Sequence, residues 1–181
     1  MEHQLQSEVI ELHTFFEAWL TGSMDASEDT FSRLTEVLAD DFQIISPSGS
    51  ITAREQLLET LRQAHASRPP DAFSIWIENI NSRHLTDELF IVTYEEWQKL
   101  HTDTRIRQSS AVLGLKQGTA NGLVWRHLHE TWLPANTAGT SDPDKPEIGH
   151  WVLLVIWLLR FVISSLEKND RTSRARYQMT R

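Results

Sequence analysis

The run Trp125-Arg126-His127-Leu128-His129-Glu130-Thr131-Trp132, WRHLHETW, sets two histidines one residue apart, with a carboxylate after them and a tryptophan at each end. Its aromatic and branched content, entered through the turn-prone GTANG, predicts a β-strand. Successive strand side chains point to opposite faces. Strict alternation puts Trp125, His127, His129 and Thr131 on one face and Arg126, Leu128, Glu130 and Trp132 on the other. On that reading the two imidazoles project together into whatever space the sheet encloses, and Glu130 is not beside them.

Upstream, three more segments have the same texture: FSIWIENINSR from Phe73, ELFIVTYEEWQKL from Glu88 and RIRQSSAVLGLKQ from Arg105. The short links TD, HTDT and GTANG separate them, so the four predict an antiparallel meander. Helical periods come before the strands. Leu5, Val9, Leu12, Phe16 and Trp19 or Leu20 recur at steps of three and four over residues 4–21, and Gly22 ends the pattern. Asp25 with Glu28, and Thr52 with Glu55, have capping-box spacing. They introduce a second helix striped by Phe31, Leu34 and Leu38 and a third striped by Leu57, Leu58 and Leu61, with a short strand around Phe42 and Ile44 between them. Helices followed by a run of strands argue for α+β, the helices burying the inner face of the sheet.

A chain of 181 residues, 40% hydrophobic and 23% charged, fits one folded domain with an appendage. Cysteine is absent, which excludes disulfides, thiolate metal sites and a cysteine nucleophile. Residues 1–134 carry ten Lys+Arg against twenty Asp+Glu. An acidic body repels phosphate backbones, so no nucleic-acid partner is expected. The start MEHQLQSEVIELH is neither basic nor continuously apolar and reads as cytoplasmic. Residues 135–150 form a linker rich in Pro, Gly, Ser and Asp. Residues 151–181 hold the apolar WVLLVIWLLRFVISSL, read as an appended helix, and a basic tail. For residues 151–166 three readings stay open: a membrane anchor, with Arg160 offset by its apolar neighbours, a packing and assembly helix, or a segment with no selected role.

The element order, with ELHTFFEAW at Glu11–Trp19, YEEW at Tyr94–Trp97 and HLHETWLP at His127–Pro134, resembles the nuclear transport factor 2-like superfamily, and within it the SnoaL-like and uncharacterised relatives. The resemblance covers residues 5–134. It implies a cystatin-like cone, with three N-terminal helices packed in a strongly bent, mainly antiparallel sheet, a cavity at the wide end and pairing as a homodimer. The superfamily holds enzymes and non-catalytic hub domains alike, so the fold does not choose a function. No residue here matches the catalytic sets of its known isomerases and dehydratases.

Within such a cone the candidate ligand-binding residues are Trp76, Tyr94, Glu95, Trp97, Arg107, Trp125, His127 and His129, an aromatic wall with a few polar groups suited to a small apolar or aromatic molecule. Two histidines at i and i+2 can ligate zinc only with a third ligand, for which His13, Glu17, Glu95 and Glu96 are the candidates. No metal and no cofactor is expected. Metal-free acid/base chemistry needs a desolvated base, and Glu95, His127 and His129 are the candidates. Only one carboxylate of YEEW faces inward. Glu95, which shares a face with Trp97, is the favoured one; in the structural alternative one glutamate is solvated and the other pairs with Arg105 or Arg107 across the strands. Three functions stay open: a ligand-binding protein, a metal-free isomerase, lyase or hydrolase, and an oligomerisation or scaffold module.

Overall fold

A computed structural model describes residues 1–134, which form the elements of one unit. Helix α1 (Glu2–Thr21) is followed by α2 (Glu28–Val37), strands β1 (Leu38–Ile45) and β2 (Ile51–Ala53), helix α3 (Arg54–Gln63) and strands β3 (Phe73–His84), β4 (Leu89–Leu100), β5 (Asp103–Leu115) and β6 (Leu123–Trp132). The six strands form one sheet in the order β2-β1-β6-β5-β4-β3. The predicted meander is its larger part. β1 then joins β6 as the parallel pair of an otherwise antiparallel sheet. The α+β, cystatin-like class expected from the sequence is therefore what the chain adopts. The expected linker and the apolar segment 151–166 lie outside the described residues. Among those described, no helix is long and apolar enough to cross a membrane.

The core lies between α1 and the helix-facing side of the sheet. Leu5, Val9, Leu12, Phe15 and Trp19 from α1 and Phe31, Leu34 and Val37 from α2 meet Phe90, Val92 and Tyr94 of β4, Ala111 and Leu113 of β5, and Leu123 and Trp125 of β6. Trp19 anchors the helices: its ring lies 5.0 Å from Phe31 and 4.6 Å from His65, and its indole donates to the Leu61 carbonyl at 2.7 Å. Gly22 closes α1 in the left-handed conformation, with φ 70°.

Three local readings change. The second helix is capped by Ser27, whose Oγ accepts from the Thr30 amide at 3.2 Å, while Asp25 accepts from the Thr30 hydroxyl. Leu38 leaves the helix and opens β1. Thr52 does not cap α3, because it pairs with Ile44 as part of β2, a three-residue strand too short to leave a period in the sequence.

Candidate functional site

Regular alternation fixes the middle of β4. Phe90, Val92, Tyr94 and Glu96 face the helices, and Glu95 and Trp97 lie on the other side. Glu96 is 3% exposed, so the inward carboxylate of YEEW is Glu96 and not Glu95. Glu95 accepts a hydrogen bond from the Trp97 indole at 3.2 Å on the opposite face.

On β6 the alternation breaks. Trp125 pairs with Leu113 and His127 with the next residue of β5, Val112, leaving Arg126 without a partner in a β-bulge. The extra residue shifts the phase. Trp125 faces the helices, and after the bulge it is Leu128, Glu130 and Trp132 that share its side. His127 and His129 turn to the other face, where His129 is exposed. The expectation that they project with Trp125 into the enclosed space is thereby overturned, and with it the argument for a ligand that rested on paired imidazoles.

The eight candidate residues divide accordingly. Tyr94, Arg107 and Trp125 face the helices; Trp76, Glu95, Trp97, His127 and His129 do not. Trp76 and Trp97 are cross-strand partners stacked 5.6 Å apart, each half-buried, and the Trp76 indole donates to Glu78 at 2.9 Å.

Facing α1 is a polar cluster. Register places Tyr94, Ser109 and Glu130 in one row across β4, β5 and β6, and Glu96, Arg107 and Trp132 in the next. Arg107 donates through Nη1 to Glu130 at 3.0 Å and through Nη2 to Glu96, with the Trp132 ring 5.8 Å from its guanidinium carbon. Gln98 donates to the same Glu96 oxygen at 2.7 Å. Helix α1 adds His13, 4% exposed, whose Nδ1 donates to the Val9 carbonyl at 2.7 Å and whose Nε2 lies 3.4 Å from the other Glu96 oxygen. The imidazole sits edge-on against Tyr94, centroids 5.2 Å apart.

Electrostatics separates the two glutamates. Burial alone raises a carboxyl pKa, but at Glu96 the Arg107 charge and the His13 contact outweigh it and hold the group well below the usual glutamate range. At Glu130 burial prevails over the pull of Arg107, and the nearby Glu96 charge adds to the rise. Burial, with both carboxylates, raises the Tyr94 phenol well above its ordinary value.

Three polar atoms of this cluster, the Tyr94 hydroxyl, Ser109 Oγ and Arg107 Nε, are buried with no hydrogen-bond partner. Ser109 is near enough to ease ionisation of Tyr94 slightly, yet the two hydroxyls do not complete a bond between them. Next to the cluster, the fully buried Glu8 is saturated. It accepts from the Trp125 indole at 2.9 Å, from Arg33 at 2.8 Å and from Asn121 at 2.9 Å, tying α1 to α2 and to the loop before β6. Among the described residues no group of three or more His, Asp or Glu side chains is placed to hold a metal ion.

Residues 5–134 match the family described as sucrose-6-phosphate phosphohydrolase C-terminal. Among curated proteins the chain is similar to sucrose-phosphatase 2 of Nicotiana tabacum, 29% identical over 136 residues, which are 75% of this chain and 32% of that one. It is also similar to a probable sucrose-phosphatase 2 of Arabidopsis thaliana, 25% identical over 69% of this chain and 29% of that one. The chain thus spans about a third of the length of the curated relatives it matches. Among solved structures, an NTF-2 like protein of unknown function from Pseudomonas aeruginosa aligns with a TM-score of 0.64 at 25% identity, covering 72% of this chain and 99% of that one. The association domain of C. elegans CaMKII aligns at 0.52 and 18% identity over 71% of this chain and 95% of that one, a likeness of fold. The match over residues 5–134, together with the six-stranded sheet wrapped on α1, shows that this chain belongs to the sucrose-6-phosphate phosphohydrolase C-terminal family and carries it on an NTF2-like fold.

Proposed function

We propose that the domain is a small-molecule-binding module whose ligand docks on the cluster of His13, Tyr94, Glu96, Arg107, Ser109 and Glu130. One observation carries this reading: three buried polar atoms on adjacent strands lack partners, in a cluster whose other groups are bonded. An unsatisfied buried donor or acceptor costs roughly 1–3 kcal/mol, and folded proteins rarely keep several together without a function or an occupant. The side chain of Arg107 retains 19% exposure, which puts it at the edge of the cluster. Half-buried Phe16, Leu128 and Trp132 supply an apolar rim.

Acid/base chemistry is less well supported. Glu95, His127 and His129 lie on the face away from this cluster, and Glu96 is clamped by Arg107 and Gln98. Because the curated relatives are sucrose-phosphatases, sugars and sugar phosphates are the first compounds to test. The test is a titration of the full chain with such compounds, followed by calorimetry and by NMR of the indole protons. Saturable binding that weakens in the double variant Tyr94→Phe/Ser109→Ala supports the reading. Binding that is indifferent to that pair, or no binding across the series, removes it.

A second reading has its own observation. The stacked, half-buried Trp76–Trp97 pair lies on the face away from α1, beside Glu95, and such aromatic patches suit contact with a second copy of the chain. Sedimentation velocity decides: Trp97→Glu converts an associating species to monomer if this face self-associates and leaves the distribution unchanged if it does not.

A further inference from the structure

We infer that the buried cluster selects a neutral, hydroxyl-bearing ligand and rejects phosphate and carboxylate groups, an inference that rests on the binding role proposed above. Recognition of phosphate or carboxylate ordinarily uses the two-pronged edge of a guanidinium. Here both prongs are occupied, Nη1 by Glu130 and Nη2 by Glu96. Each Nη keeps a second N–H beside the open Nε–H, so it is the two carboxylates already held by this guanidinium, and not a shortage of donors, that turn an anion away. An arriving anion would lie close to both of them, in surroundings that screen charge poorly.

The unpartnered groups define the complementary chemistry. The Tyr94 and Ser109 hydroxyls each donate and accept, whereas Arg107 Nε–H only donates. A ligand hydroxyl can accept from one of them and donate to the next, which a fully ionised oxyanion cannot do. The Phe16 and Trp132 rings at the rim suit the C–H faces of a polyol. A phosphorylated sugar would therefore enter with its phosphate kept away from this cluster. Water meets the same hydrogen-bonding demand and is the competing occupant.

The experiment uses the full chain and four probes at constant ionic strength: sucrose and glycerol as neutral polyols, inorganic phosphate and propionate as anions. Binding is read by calorimetry and by NMR shifts, since polyols raise thermal stability without binding. Expected are saturable heats with a neutral polyol and none with either anion. The dissociation constant should rise by about three- to tenfold in Ser109→Ala and in Tyr94→Phe, the loss of one neutral hydrogen bond. Saturable binding of phosphate or propionate that disappears in Arg107→Gln overturns the inference and leaves the small-molecule role standing. Silence from all four probes, with only water on the Tyr94 and Ser109 hydroxyls in crystals soaked in sucrose, overturns both.

Discussion

Ser109 and Glu96 sit in the same cluster with opposite consequences for stability. Ser109 Oγ is buried and bonded to nothing, so Ser109→Ala removes a desolvated group rather than a contact. The unliganded variant is expected to be as stable as the parent or more stable, by up to about 1–2 kcal/mol in urea unfolding. Glu96 is the centre of an ion-pair network, and Glu96→Gln leaves Arg107 with one carboxylate instead of two. A loss of about 3–5 kcal/mol at pH 7 is expected. The pH dependence follows from the sign of the shift. The folded-state value of Glu96 lies below its unfolded value, so its contribution is complete above about pH 4.3 and is lost as the pH falls below that. Glu130, shifted upward, acts in the reverse sense: its contribution is present at low pH and fades as the pH rises through its folded-state value. Urea melts at pH 7 and pH 3.5 should show a smaller drop for Glu96→Gln than for the parent, and an unchanged drop would mean that the Glu96 pairing adds no stability.

At the scale of elements, stability depends on how helices are stopped and how they are tied to the sheet. Gly22 meets two requirements at once. Its φ of 70° disfavours a side chain, and a Cβ there would lie 2.7 Å from the Ala66 Cβ, inside van der Waals contact. Gly22→Ala is expected to cost about 1–3 kcal/mol, read as a lower denaturation midpoint with an unchanged slope. Glu8 is the stronger tie, because from α1 its carboxylate accepts from Arg33 of α2, from Asn121 in the loop before β6 and from Trp125 of β6. Glu8→Ala strands Arg33 and the buried Trp125 indole together, and a loss of about 3–5 kcal/mol is expected. The Trp125 fluorescence environment should change in that variant even under native conditions. The bulge at Arg126 also acts at this scale. By adding one residue to β6 it moves Glu130 onto the helix-facing side with Trp125, and without that shift the Arg107 clamp would have only one carboxylate.

For the whole molecule, the family match over residues 5–134 falls within the unit Met1–Asn136, and 72% of this chain aligns with 99% of the Pseudomonas aeruginosa chain. Residues 1–136 alone should therefore fold, with a midpoint within about 4 °C of the full chain, a shift equivalent to about 1 kcal/mol. A collapse of cooperative unfolding in that fragment would show that the remaining residues complete the fold. The sequence by itself determined the class: period-3.6 stripes ahead of four turn-punctuated strands leave few ways to bury an apolar face other than helices laid on a sheet, and local pattern suffices to show it. It also supplied the Glu–Arg cross-strand pair as the alternative to a free base in YEEW. Tertiary structure alone decided the site. A bulge is an insertion measured against a partner strand, so nothing within WRHLHETW shows that Trp125 and the histidines part company. The choice between Glu95 and Glu96 likewise depended on which face of β4 meets α1. Ser109, and Glu8 beside the cluster, gained a role only when segments as much as 117 positions apart were brought into contact, and His13, a candidate ligand in the sequence, became a partner of Glu96 instead, because hydrogen-bond satisfaction is a property of the packed interior and leaves no period in the chain.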